Sequence, residues 1–165
     1  MTAEVSHVLG CWVGVFAIVV GLAAAASPMT VERVEGPLRL SASVGKTTYA
    51  IGEVIEATLV AQNTGAGPLT LTFSSGQTFE LVVRRPRGDE VWRWSHDKAF
   101  TQAFQNRTLK AGEMVSYRGA WDQRDLQGRR VDPGTYEIVA MFLVRLEGSD
   151  RRSLSLPPLA LTIQQ

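Results

Sequence analysis

Cysteine and histidine are almost missing from this chain. It has one cysteine, Cys11, and two histidines, His7 and His96. A lone thiol closes no disulfide within the chain and builds no cysteine-based metal site. With the N-terminal stretch set aside, His96 stands alone, and no zinc site is expected. A charge imbalance is lacking too. Seventeen Lys and Arg against 16 Asp and Glu leave a formal net charge of +1. That balance offers nothing for electrostatic capture of nucleic acid. The arginine groups Arg84-Arg85-Pro86-Arg87, Arg129-Arg130 and Arg151-Arg152 read as solvated loop or edge charges that discourage strand pairing. Sustained helical periodicity is absent after Pro37, and Ala99 to Phe104 allows one helical turn at most. No glycine-rich phosphate loop of a known kind occurs.

What is present begins with an uncharged run from Val8 to Ala26. Val13 to Leu22 suits the apolar core of a secretory signal, and Ala23-Ala24-Ala25-Ala26-Ser27 offers small residues for cleavage after Ala26. Residues 1–26 are therefore expected to be a signal peptide. An uncleaved anchor is the alternative, since about 19 uncharged residues just span a bilayer. Met1 to His7 departs from the usual signal by holding Glu4 and no Lys or Arg. Val8-Leu9-Gly10-Cys11 has a lipobox outline but comes too early, with almost no apolar run before it. Export to the periplasm, the cell envelope or the exterior is expected, with membrane contact only through this segment. Residues 27–37 read as a polar linker and 38–165 as one domain, large enough for a core without staples.

That domain reads as strands and turns. Leu38, Leu40, Ala42 and Val44 alternate with polar or small residues. Further strands are expected at Val54–Ala61, Leu69–Phe73, Phe79–Val83, around Trp92, at Met114–Trp121 and from Tyr136 to Val144. A last strand, Ser153 to Ile163, is interrupted by Pro157-Pro158, as suits a bent edge strand. Turn signals include Asn63-Thr64-Gly65-Ala66-Gly67-Pro68 and Asp132-Pro133-Gly134. The pattern implies an all-β fold: an immunoglobulin-like antiparallel β-sandwich in preference to a closed barrel.

The segment Gly88 to Gln102 is the most informative. It holds Trp92, Trp94 and His96 beside a polar turn, Ser95-His96-Asp97-Lys98. Such aromatics either form a core corner under a loop or form a recognition surface. Trp92 and Trp94 are expected to divide between an inward and an outward position. Trp94, Phe100, Trp121 and Tyr136 are expected in the core or at its corners. Ser95, His96 and Asp97 are adjacent, so their side chains diverge and supply no catalytic relay. Asp122, Asp125 and Asp132 miss the oxygen spacing of a calcium loop and read as turn and capping residues. No nucleophile, base or metal set emerges, so neither enzymatic activity nor a cofactor is expected.

The residues accumulate into a recognisable order: Tyr49-x-x-Gly52-Glu53, Leu59-x-x-x-Asn63, Phe73-Ser74-Ser75-Gly76-Gln77-x-Phe79-Glu80, Val91-Trp92-Arg93-Trp94-Ser95, Phe100-Thr101-Gln102, Leu109-x-x-Gly112-Glu113 and Gly134-x-Tyr136. Together they resemble the BsuPI domain, a family named after an intracellular serine proteinase inhibitor. The resemblance covers about Leu38 to Val144. It implies an immunoglobulin-like sandwich and inhibition of subtilisin-type serine proteases by a loop that obstructs the cleft. Two loops are candidates, Ser95–Gln105 and Gln123–Asp132, with the first preferred for its flanking aromatics. The candidate partner-binding residues are Trp92, Trp94, His96, Phe100, Thr101 and Gln102. The alternative is a non-enzymatic envelope module that binds another protein through an exposed tryptophan and unpaired edge strands.

Overall fold

The computed structural model of the protein describes residues 28–86, 88–146 and 152–165. The expected signal or anchor segment, 1–26, lies outside them. Every regular element among the described residues is a strand. In chain order these are β1 (Met29–Glu35), β2 (Leu38–Val44), β3 (Thr48–Ala50), β4 (Ile55–Asn63), β5 (Leu69–Phe73), β6 (Phe79–Arg84) and β7 (Glu90–Arg93). Then follow β8 (Gln105–Leu109), β9 (Met114–Trp121), β10 (Gly134–Phe142), β11 (Val144–Arg145), β12 (Leu154–Ser155) and β13 (Leu159–Gln164). The first sheet runs β1-β2-β4-β9 and the second β3-β13-β10-β6-β7, with β12 also on β10. A small third sheet runs β11-β5-β8. All pairs are antiparallel except β3 with β13.

Alternation produces these strands. β2, β4 and β13 bury every second side chain, as the two-residue period requires when one face meets a core. The two larger sheets and β5 contribute to one shared cluster of buried side chains. Rings join the sheets across it. Trp121 of β9 meets Tyr136 of β10 edge-on at 5.5 Å, and Tyr117 of β9 lies 5.8 Å from Phe142 of β10. Trp121 and Tyr136 are fully buried, as expected. Burial pushes the Tyr136 hydroxyl up from its ordinary pKa, and that hydroxyl donates to the Asp132 carbonyl at 2.7 Å.

Several expectations need correction. The supposed linker 27–37 contains β1, which pairs with β2 along its whole length, from Met29 opposite Val44 to Glu35 opposite Leu38. Gly36, at φ 56°, and Pro37 turn the chain between them. The polar content of Thr30, Glu32 and Arg33 masked an alternation in which Met29 and Val31 pack on the core. The last strand is not an edge. β13 lies between β10 and β3, and Pro157 and Pro158 fall between β12 and β13, where no ladder bond is lost. Ala99–Phe104, where the sequence allowed one helical turn at most, forms no helix. Trp92 and Trp94 do not divide between faces. Residues two apart on a strand share one, and both tryptophans are half-buried against the core because β7 ends the second sheet.

Asn63 ties the end of β4 to two turns. Its buried side-chain amide donates to the carbonyls of Gly67 at 2.7 Å, Leu109 at 3.0 Å and Lys110 at 3.2 Å. Its side-chain oxygen accepts the Gly65 amide at 2.9 Å. Replacing it leaves buried polar groups unpaired. Asn63→Ala is expected to lower the unfolding free energy by about 1–3 kcal/mol, measured by urea denaturation. A loss of a few tenths would mean that water replaces these bonds without cost.

Candidate functional site: the loop held by Trp94

β7 delivers the chain to the candidate loop. The Trp94 amide donates to the Leu81 carbonyl at 2.9 Å, extending the β6–β7 ladder by one residue. The indole then stacks on Phe79 with centroids 4.2 Å apart. Phe79 in turn stacks on Tyr117 at 5.1 Å, and Tyr117 meets Phe142. On the outer side, Phe100 lies 5.9 Å from Trp94. A row of rings therefore runs from the core to the loop, Phe142–Tyr117–Phe79–Trp94–Phe100. Gly119 of β9 makes room for it. A Cβ there would sit 2.8 Å from Trp94 Cδ1 and 2.6 Å from Leu81 Cδ1.

A buried carboxylate fixes the next residue. Glu80 on β6 is 3% exposed. One of its oxygens accepts the Leu81 and Ser95 amides, each at 3.1 Å. The other accepts the Ser95 hydroxyl and the Gln77 side-chain amide. A buried polar group without partners is costly, and here hydrogen bonds reach both oxygens. The Ser95 hydroxyl therefore serves Glu80 and not His96, which is exposed in a turn closed by its own amide on the Arg93 carbonyl. No nucleophile–base pair is assembled here. Among the described residues no group of three or more His, Cys, Asp or Glu is placed to hold a metal ion.

Lys98 finishes the turn, donating to the Trp94 carbonyl at 2.8 Å with its ammonium 4.8 Å from the indole centroid. Its ion pair with exposed Asp97 adds little. Thr101 is then tied across to the β5–β6 connection: the Gly76 amide donates to its carbonyl at 2.9 Å. A Cβ on Gly76 would lie 2.7 Å from Thr101 Oγ1. Gln105, the first residue of β8, reaches back to Thr101 Oγ1 at 3.4 Å. Between these points Gln102, Ala103 and Phe104 are exposed.

Of the six expected contact residues, the structure brings Trp94, Phe100, Thr101 and Gln102 together. Gln102 folds onto the Phe100 carbonyl at 3.3 Å. Trp92 lies earlier on β7, opposite Val83. Sequence reasoning quoted Gly76 and Glu80 in the family pattern and Phe104 within the first loop without giving any of them a role, and it missed the strand β8. In β8, Gln105-Asn106-Arg107-Thr108 carries no apolar alternation, because four of its five residues are exposed. Cross-strand contacts compensate, with Thr70 on Thr108 at 3.2 Å and Thr72 on Asn106 at 3.0 Å.

The second candidate loop, Gln123–Asp132, is also stiffly built. Gln123 is fully buried and adopts φ 60°. Its side chain accepts the Gly52 amide and donates to the carbonyls of Ala50 and Glu53. Asp125 accepts the amides of Gln127 and Arg129 and the Arg129 guanidinium, at 2.8–2.9 Å. The Leu126 amide donates to the Val91 carbonyl at 3.0 Å and covers part of the outer edge of β7. The buried Trp121 indole anchors its start by donating to the Arg124 carbonyl at 2.8 Å, and its tip presents charged and polar side chains without an exposed ring.

These features describe an all-β domain that presents braced loops. Residues 42–147 match the BsuPI family, described as "Intracellular proteinase inhibitor". The chain belongs to this family. No curated protein matches it. Among solved structures it is similar to a β-glucosidase from Listeria innocua in complex with glucose, at 12% identity and TM-score 0.45, over 78% of this chain and 16% of that one. It is also similar to a sporulation control protein from Bacillus subtilis, at 13% identity and TM-score 0.42, over 79% and 51%. A CARDB domain from Pyrococcus furiosus gives 12% identity and TM-score 0.39, over 83% and 89%.

Two outcomes follow for the loops. Glu80→Gln keeps the shape but turns an NH2 group toward donors of the 77–95 network. It should destabilise the fold by about 1.5–3 kcal/mol, read from denaturant midpoints; an unchanged midpoint would rule out the network as a support. In the second loop, burial pushes the Asp125 carboxyl up, but the amide bonds and Arg129 outweigh it, and its pKa lies below the ordinary value. The order this carboxylate gives the loop is thus full above the unfolded value, about 3.9, and is lost as pH falls through the lower folded pKa. Amide exchange at Gln127 and Arg129, corrected for intrinsic rates, should rise only in that acid range. A rise already near neutrality would contradict the assignment.

Proposed function

We propose that the protein inhibits a subtilisin-type serine protease by seating the Ser95–Gln105 loop in the protease cleft. Family membership over residues 42–147 is the observation that carries the inhibitor reading. The choice of loop is supported by its bracing. Aromatic pairs contribute about 0.5–1.5 kcal/mol each beyond their burial, so the Phe79–Trp94–Phe100 contacts outweigh any exposed ion pair nearby. A loop already fixed loses little conformational entropy on binding, which favours tight association. We also read the sheets as an immunoglobulin-like sandwich. The Tyr136 hydroxyl, bonded to a carbonyl four residues upstream, supports this, since such sandwiches use a tyrosine in that way at a strand corner. Export directed by residues 1–26 would make the target an extracytoplasmic protease.

The test is titration of the full chain against a panel of subtilisin-type serine proteases, including one from the same organism. Saturable, stoichiometric loss of protease activity is the expected result. Full activity of every protease at high excess of the chain would contradict the proposal.

A further inference from the structure

Phe100 and Phe104 lie four residues apart in the same loop and have opposite surroundings. Phe100 turns its ring toward Trp94, 5.9 Å away, and is half-buried. Phe104 is 71% exposed, more than any other large apolar side chain among the described residues. The other strongly exposed ones, Val34, Val54 and Met114, belong to other segments of the chain. A solitary exposed apolar residue needs no explanation in itself. Its position does. Phe104 ends the short projection Gln102–Phe104, whose two flanks are tied down. On one flank the Gly76 amide holds the Thr101 carbonyl at 2.9 Å. On the other, Gln105 enters β8 opposite Phe73 and its side chain reaches Thr101 Oγ1 at 3.4 Å, so a contact crosses beneath the projection. Beyond it, β8 is the outer strand of the third sheet and, among the described residues, keeps one edge without a partner strand.

From this geometry we infer that Phe104 is the specificity-determining residue of the inhibitor, the side chain that enters the primary specificity pocket of the protease. The inference rests on the inhibitor reading above and deepens it. It sets the partner's chemistry: a serine protease whose pocket is deep and apolar, without a carboxylate at its base. Two features favour this role over a purely structural one. Among the described residues the ring makes no aromatic contact, whereas Phe100 does. The tie points lie on both sides of it, which fixes the backbone while leaving the ring free to enter a cavity. An aromatic side chain that desolvates fully in a central pocket is the usual form of an energetic hot spot. A protease also reads a substrate segment through side chains that project from a backbone paired as a strand, and the open edge of β8 lies next to the projection.

The experiment compares the full chain with its Phe104→Ala and Phe104→Arg variants. Each is assayed against a subtilisin-type protease with an apolar pocket and against a trypsin-type protease with an acidic pocket. Thermal unfolding of each variant confirms that the fold is kept. Phe104→Ala should raise the inhibition constant for the apolar-pocket protease by roughly 30-fold or more. Phe104→Arg should lose that inhibition and gain inhibition of the acidic-pocket protease. If the unchanged chain inhibits and Phe104→Ala inhibits equally well, Phe104 is not the pocket residue and this inference fails, while the inhibitor reading stands. If the unchanged chain inhibits neither protease nor any of the wider panel, the inhibitor reading itself fails and takes this inference with it.

Discussion

The indole of Trp94 lies 4.2 Å from the Phe79 ring on one side and packs over Gly119 on the other, where β9 has no side chain to displace it. The candidate loop depends on this contact. It couples the outer end of β7 to the first sheet through Tyr117 and sets the direction in which residues 95–104 leave the fold. Gly119 is required by close approach, not by its backbone conformation. Any larger residue there would push the indole outward, and Phe100 with it. Of the two readings open to this stretch, a core corner or a recognition surface, the packing role of a corner is thus met first.

Polar interactions complete what the rings begin. Glu80 is buried and bonded at both oxygens, so one side chain fixes both the amide and the hydroxyl of Ser95. Asn63 performs a comparable task at the other end of β4, joining the turns that flank β5 and β9. Gln123 holds the turn after β3 against the second loop. In each case one buried polar side chain satisfies several backbone groups that regular pairing leaves over. Such residues stiffen loops without enlarging the core, which is what a domain needs if its loops are to meet a partner in a fixed shape.

Much of this was legible in the sequence, for a clear reason. Where one face of a strand is buried, apolar residues recur at every second position, as in Leu38–Val44 and Leu159–Ile163. Where neither face is buried, the signal disappears. β8 has only Leu109 in the core, and β1 contributes only Met29 and Val31 against it, so both passed as loop or linker. Prolines suggested an edge for the last strand, but Pro157 and Pro158 mark the break before β13 and not its position in the sheet. In the candidate site, Trp94 and Phe100 stood out by residue type. Glu80 and Gly76 did not, because their roles arise from long-range contacts that spacing cannot encode. Phe104 was passed over because exposure is a property of the fold and not of the residue.

The central claim is that the Trp94-anchored loop, and not the Gln123–Asp132 hairpin, meets the protease. Hydrogen exchange of the full chain, alone and saturated with a protease that it inhibits, tests this most directly. The account predicts slowed amide exchange across residues 101–109, including the free edge of β8, with Gln123–Asp132 unchanged. Protection confined to Gln123–Asp132, with 101–109 exchanging as in the free chain, would contradict it.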